Sequence, residues 1–222
     1  MTHNVWFLLA AIPLAAYVIG ATPFGYLIGR LNGLDLRKVG SGNIGATNVV
    51  RVLGKKWGYP CFLLDVAKGL LPVLATGWIL RGEANFPTPM HQAIWLGAGC
   101  GAILGHVFPF YLKFRGGKGV ATALGVVLGV WPYFTLAGLL AFALWIAVTL
   151  VSRYVSVGSI VAAVAFVPLV AGVNELTWKT PLMDIWPLLA FAAAMCLLII
   201  VRHRANIRRL LAGTENKIGK KK

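Results

Sequence analysis

Three short polar segments interrupt an otherwise apolar chain, and each carries the donors that bind phosphate. The first, residues 37–58, reads RKVGSGNIGATNVVRVLGKKWG. Gly40, Gly42 and Gly45 let backbone amides approach an anion closely. Ser41, Asn43, Thr47 and Asn48 add hydroxyls and amides, and Arg51, Lys55 and Lys56 add charge. A helical turn over residues 47–51 would return Arg51 over Thr47 and Asn48, three or four residues back. The second segment, residues 105–122, reads GHVFPFYLKFRGGKGVAT. It is not a Walker A loop, which needs a glycine five residues before its Gly-Lys pair and a Ser or Thr after it. Those positions hold Leu112 and Gly119. The physics is nevertheless related: Gly116, Gly117 and Gly119 stand just before an apolar helix, whose free N-terminal amides and dipole attract phosphate. Lys118 adds a full charge, and His106 is placed either to bind phosphate or to cap the helix. The third segment, residues 201–217, reads VRHRANIRRLLAGTENK. On a helix continuing from the last apolar run, His203 and Asn206 share a face with Arg202 and Arg209. Ile207, Leu210 and Leu211 form the apolar stripe of an interface-lying turn that Gly213 ends.

Each segment alone has a plainer reading: a solvated loop, a turn carrying cytoplasmic positive charge, an amphipathic anchor. Together they describe an interfacial site for one or two phosphates. The chain has only six Asp and Glu, which leaves no carboxylate pair for glycosidase chemistry. No His, Cys and Asp clustering suggests a metal, and no cofactor is implied. Cys61, Cys100 and Cys196 lie inside apolar runs, match no metal or disulfide spacing, and read as packing residues.

The elements that must position these segments are membrane helices. Of 222 residues, 59% are hydrophobic and 12% charged, about half the charge of an average soluble domain. Mean hydropathy is +0.78. A net charge of +15 would suggest nucleic acid in a soluble protein. Here the cations sit between and after apolar runs, so the implied partners are an anionic membrane face and anionic substrates, not nucleic acid. The N-terminal apolar run has no preceding Lys or Arg and is too long for a cleaved signal, so it reads as the first span.

A crossing helix needs about 20 apolar residues. Candidate spans lie near 5–29, 57–80, 92–110, 118–133, 134–152, 155–173 and 185–202. The stretch 118–152 is long for one helix and short for two; GVWPYF at 129–134 supplies the Gly, Pro and interfacial aromatics of a hairpin end. With seven spans, 18 of the 21 Lys and Arg fall on one side, and Arg81 and Lys179 on the other. The positive-inside bias therefore predicts an all-α integral membrane protein of seven transmembrane helices, a single domain over 1–222, N-terminus outside and C-terminus cytoplasmic. All three polar segments then meet the cytoplasm. The basic tail GKKK reads as disordered against anionic lipid. Asp65 and Lys68 lie inside the second span at helical spacing. Intramembrane charge marks function by default, and the pair reads either as mutual or as a substrate contact.

These segments closely resemble the bacterial acyl-phosphate:glycerol-3-phosphate acyltransferase family. The matching motifs are GSGNIGATNVVR at 40–51, GHVFPFYLKFRGGKGVAT at 105–122 and HRANIRRLLAGTEN at 203–216. Spans fall correctly around them over essentially the whole chain. Other glycerophosphate acyltransferases carry His-x4-Asp; the fifth residues after His91, His106 and His203 are Leu96, Tyr111 and Arg208. The resemblance implies acyl transfer from acyl phosphate to the 1-hydroxyl of glycerol 3-phosphate, at the inner membrane of a bacterium. The products would be lysophosphatidic acid and inorganic phosphate, the donor coming from a soluble acyl-phosphate-producing enzyme. It implies that Ser41 and Arg51 are essential, and that Thr47 and the glycine loop with Lys118 hold the acyl phosphate's phosphoryl group. His203 and Asn206 would bind or orient glycerol phosphate, with Glu215 structural; by residue type and position, Gly42, Asn43, Asn48, His106 and Lys68 are further candidate phosphate contacts. The base is open between His203 and the substrate's own phosphate, and Ser41 reads as a hydrogen-bond donor. The alternative from another class, a transporter of a phosphorylated metabolite, needs a polar path across the membrane that the spans do not offer.

Overall fold

The computed structural model describes residues 5–82 and 88–219. His3, part of the outer loop at 81–91 and the final lysines of the basic tail lie outside the described residues. Among the described residues every regular element is helical. The chain divides into two compact units, Met1–Trp131 and Pro132–Lys222.

In the first unit, the predicted span at 5–29 is two helices, α1 (Val5–Ala21) and α2 (Phe24–Leu31). The break falls at Thr22 and Pro23 because proline lacks an amide hydrogen and bars helical geometry at the residue before it. A short α3 (Ala46–Leu53) leads into α4 (Lys55–Arg81), whose 27 residues span about 40 Å, more than the roughly 30 Å hydrocarbon core. Its charged ends therefore reach polar zones on both sides. α5 (Pro89–Val107) starts with a capping box between Thr88 and His91. The unit closes with a 3₁₀ turn at Phe110–Leu112 and α6 (Val120–Gly129).

Small residues set the helix spacing. On α5, Gly101 and Gly105 lie against the carbonyls of Pro13 and Tyr17 of α1, with no room for a side chain. In the same way Gly125 of α6 lies on the Val66 carbonyl of α4. Lipid tails are as apolar as leucine, so helices in a membrane associate through such close backbone packing. Two polar anchors fix the register: Trp95 Nε1 donates to the Val73 carbonyl at 2.8 Å and Tyr17 Oη to the Phe108 carbonyl at 2.7 Å.

The second unit holds α7 (Thr135–Ser152), α8 (Val155–Thr177), α9 (Trp186–Arg202) and α10 (Arg204–Leu211). Phe134 is fully buried, edge-on to Phe166 at 5.3 Å and stacked on Phe191 at 6.0 Å. Trp145 Nε1 donates to Ser159 Oγ at 3.1 Å, joining α7 to α8.

Among the described residues, five spans are long and apolar enough to cross a membrane, with α1 and α2 counted as one, or six if α9 and α10 also count together. The expected span at 118–133 differs: its helix, α6, has ten residues, about 15 Å or half a hydrocarbon core. It ends where GVWPYF forms a turn at 131–134. The helix expected to continue past the last span is also broken. α9 stops at Arg202, and the chain bends by 55° into α10, so His203 ends one helix and begins the next.

Candidate active site

The first polar segment is a loop knotted by one side chain. Asn48 is almost fully buried. Its Oδ1 accepts from the Ser41 amide at 2.8 Å and from Arg51 Nη1 at 3.3 Å. Its Nδ2 donates to the carbonyls of Val39 at 3.1 Å and Leu36 at 3.3 Å. Asn48, expected among the phosphate contacts, thus spends its amide on shaping the loop. Gly40 has φ +63° and rests on Asn48 Oδ1, a left-handed position that L side chains rarely adopt. Asn43 Oδ1 accepts from the Gly45 amide at 2.8 Å, turning the chain into α3. The expected helical turn at residues 47–51 lies within α3, and Arg51 returns onto Asn48. Ser41, Gly42, Thr47 and Arg51 remain on the exposed side.

The second segment is folded back under α5. The Gly116 amide donates to the Val107 carbonyl and the Gly117 amide to the His106 carbonyl, both at 3.1 Å. These two amides cap carbonyls at the C-terminal end of α5, which a helix end leaves without amide donors of its own. They are therefore turned toward α5. The amides at the start of α6, beyond Gly119 at φ +86°, have no acceptor within the helix and carry its dipole. Lys118 stands half-buried between the two sets. Beneath the loop, His106 is buried with its Nε2 against Gly117. Its Nδ1 lies 3.5 Å from Asp65 Oδ1, and Lys68 Nζ lies 2.8 Å from the same oxygen.

The third segment is gathered by Glu215. Asn206 Nδ2 donates to Oε1 at 2.6 Å, Arg209 Nε to Oε2 at 2.6 Å, and Ser156 Oγ of α8 to Oε1 at 3.1 Å. Partial burial pushes the Glu215 carboxyl up, but these hydrogen bonds and the Arg209 charge outweigh it and hold it below its ordinary value. His203 is 2% exposed, and its Nδ1 lies 2.8 Å from the Ile199 carbonyl. A carbonyl accepts only, so Nδ1 carries the proton and, in the neutral ring, Nε2 is the basic nitrogen. The chain after α10 is tied to the end of α7, where the Ile218 amide donates to the Arg153 carbonyl at 2.8 Å.

The sequence model of the family described as glycerol-3-phosphate acyltransferase matches residues 10–213, which hold all three segments except the last residues of the third. The chain belongs to the glycerol-3-phosphate acyltransferase family. A glycerol-3-phosphate acyltransferase of Geobacter sulfurreducens is 46% identical over 202 residues, 91% of this chain and 93% of that protein. One from Thermoanaerobacter sp. (strain X514) is 43% identical over 207 residues, 93% of each chain. Among solved structures, PlsY (YgiH), an integral membrane glycerol 3-phosphate acyltransferase, in its glycerol 3-phosphate form has a TM-score of 0.78 and 39% identity, covering 98% of this chain and 96% of that one. Its lysophosphatidic acid form gives 0.76 and 38% over the same shares.

In this acyltransferase the first unit brings together Ser41, Asn48 and Arg51 at one loop, and Asp65, Lys68, His106 and Gly117 at another. The second unit brings together Asn206, Arg209 and Glu215 beside His203. Two participants were not separable in the sequence. Asp65 stood out as an intramembrane charge, but its contact with His106 spans 41 residues and has no local signal. Ser156 sits in an unremarkable stretch, YVSVGS, and only the fold brings it to Glu215.

Proposed function

We propose that the protein transfers an acyl group from acyl phosphate to the 1-hydroxyl of glycerol 3-phosphate, releasing lysophosphatidic acid and inorganic phosphate. The observation that carries this reading is the 39% identity to PlsY, named an integral membrane glycerol 3-phosphate acyltransferase, across 98% of this chain. The donor follows from chemistry. An acyl phosphate is a mixed anhydride whose phosphate leaves readily, so the reaction needs positioning and charge stabilisation rather than a covalent intermediate. Loops rich in amides, hydroxyls and cations supply both. Among the described residues, Ser41 Oγ has no His or carboxylate partner to activate it, which supports its role as a donor to substrate.

In the reaction the 1-hydroxyl oxygen bonds to the acyl carbonyl carbon, and the bond from that carbon to the phosphate oxygen breaks. Phosphate departs with the electron pair. Thr47, Lys118 and the first amides of α6 hold the donor's phosphoryl group, Gly116, Gly117 and Gly119 giving the loop its shape. Ser41, Gly42 and Arg51 balance charge at the reacting centre, and Asn43 and Asn48 keep their loop in form. His203 and Asn206 orient glycerol phosphate, and Glu215 holds Asn206. His106 and Lys68 support the phosphate loop from below. The hydroxyl proton passes to His203 Nε2 or to an oxygen of the substrate phosphate.

The whole chain acts as one catalytic domain of seven membrane helices, the short α6 among them, in a bacterial inner membrane, N-terminus outside and C-terminus cytoplasmic. Counting each of the seven as a crossing collects 18 of the 21 cations on one side, the bias expected of a cytoplasmic face. A soluble enzyme supplies the acyl phosphate.

The test is release of inorganic phosphate by purified protein in lipid vesicles. Phosphate should appear only with both substrates present; activity with acyl-CoA but not acyl phosphate would refute the donor. His203→Gln should lower kcat by about 100-fold or more if His203 is the base, and less than about tenfold if the substrate phosphate is. Uptake of labelled glycerol phosphate into protein-loaded vesicles, without acylation, would instead favour a transporter.

A further inference from the structure

We infer that Asp65 is a positioning residue for the glycine loop: it holds His106 against Gly117 and, through Lys68, ties that loop to the break between α1 and α2. The inference rests on the reading that this loop and Lys118 hold the donor's phosphoryl group.

Three contacts carry it. First, His106 braces the loop from two sides. Its carbonyl takes the Gly117 amide at 3.1 Å, and its ring nitrogen Nε2 occupies the space that a Gly117 side chain would fill. Gly116 is packed as closely on the His106 carbonyl. Any rotation of the ring must displace Gly117, and with it the neighbouring Lys118. Second, the group beside the other ring nitrogen is Asp65, its Oδ1 3.5 Å from Nδ1. Third, Asp65 is itself fixed. Lys68 Nζ stands 2.8 Å from the same oxygen, and Cys61 Sγ donates to Oδ2 at 3.9 Å.

The Lys68 arm extends the network. Its ammonium donates to the Thr22 carbonyl at 2.7 Å and lies 5.5 Å over the Phe24 ring. Thr22 is the first residue beyond α1, and α2 follows it. Gly25 of α2 rests on the Ile44 carbonyl, within the first polar loop. One carboxylate thus connects the second phosphate loop, through His106, to the element supporting the first. All three charged or titratable side chains are at most 6% exposed. A buried ion pair is poor at adding stability, since apolar replacements often serve as well. The geometry points instead to the distance this pair sets between α4, α5 and the loop above them.

The experiment compares KM and kcat for both substrates, a KM being insensitive to the fraction of protein that is folded. Lys118→Met first identifies the substrate whose KM the loop controls. Asp65→Asn should raise the KM of that same substrate, acyl phosphate, by about tenfold or more, the scale of a small misplacement of a binding group. The KM for glycerol 3-phosphate should stay within about twofold. In a His106→Ala background, Asp65→Asn should add less than about twofold, because residues acting through one another are not additive. Asp65→Glu keeps the buried charge and shifts it by one methylene. It should fold and raise the donor KM by about threefold, and it decides the matter if the Asn variant does not fold. Equal rises in both KM values, additive effects with His106→Ala, or an unchanged donor KM in a folded variant would each overturn the inference. A wild-type protein that does not consume acyl phosphate would overturn the underlying reading instead.

Discussion

Asp65 and Glu215 each gather a polar cluster around one carboxylate, the first between membrane helices and the second in the loop after α10. Asp65 draws Lys68 from its own helix and His106 from α5, and both side chains of its ion pair are 3% exposed. Glu215 draws Asn206 and Arg209 from nine and six residues back and Ser156 from α8; the side chain of Arg209 is 34% exposed. The difference is what remains when the carboxylate is lost. Arg209 can turn to water. Lys68 cannot, and an unpaired ammonium in an apolar setting is costly. The same device therefore locks hard within the membrane and adjusts at its edge.

The sharpest way to break this comparison is to remove one charge and then both. Asp65→Leu should destabilise by about 3–5 kcal/mol, the cost of orphaning a buried partner, and Asp65→Leu with Lys68→Met should recover most of it. Denaturation in mild detergent reads this; equal stability of the single and double variants would contradict the pairing. Next in size is the glycine loop proposed to hold the donor's phosphoryl group. Lys118→Met should lower kcat by about 100-fold to 1000-fold, as loss of a donor to developing charge does, with the melting temperature unchanged.

At the membrane edge the expected effects shrink. Glu215→Gln should cost about 1 kcal/mol of stability, since Arg209 can turn to water and the glutamine carbonyl can still accept from the buried Asn206 and Ser156. It should raise the KM for glycerol 3-phosphate severalfold through Asn206, leaving the donor KM alone. The smallest effect is the pH slope. Glu215 is held below its ordinary value in the folded protein, so its contribution is complete above the unfolded value of about 4.3 and is lost as pH falls through the folded one. The melting temperature should be flat from about pH 8 to pH 5 on this account and fall on further acidification. Glu215→Gln should remove part of that fall.

Much of the local structure was legible beforehand. The helical turn carrying Arg51 onto Asn48 followed from spacing, and six of the expected spans contain the observed long helices within a few residues. Three elements departed for physical reasons. Pro23 breaks the span at 5–29 into two helices. Residues 118–133 were apolar enough for a span, but Gly119 and the turn at 131–134 leave only ten residues helical. The break at His203 has no proline to announce it. The amides of Gly116 and Gly117 were read as phosphate donors, yet they cap α5, because a helix end recruits whatever amide donors the returning chain offers.

By itself the sequence determined the apolar segments, the side on which charge collects, and the three motifs that carry the family likeness, since periodicity, charge bias and residue spacing are all local or additive along the chain. The tertiary structure alone decided which groups meet: Asp65 with His106, Glu215 with Ser156, Gly117 with an imidazole ring. Such contacts join distant residues at single-atom spacing. They depend on how closely the glycines let helices approach, and only the packed fold sets that distance.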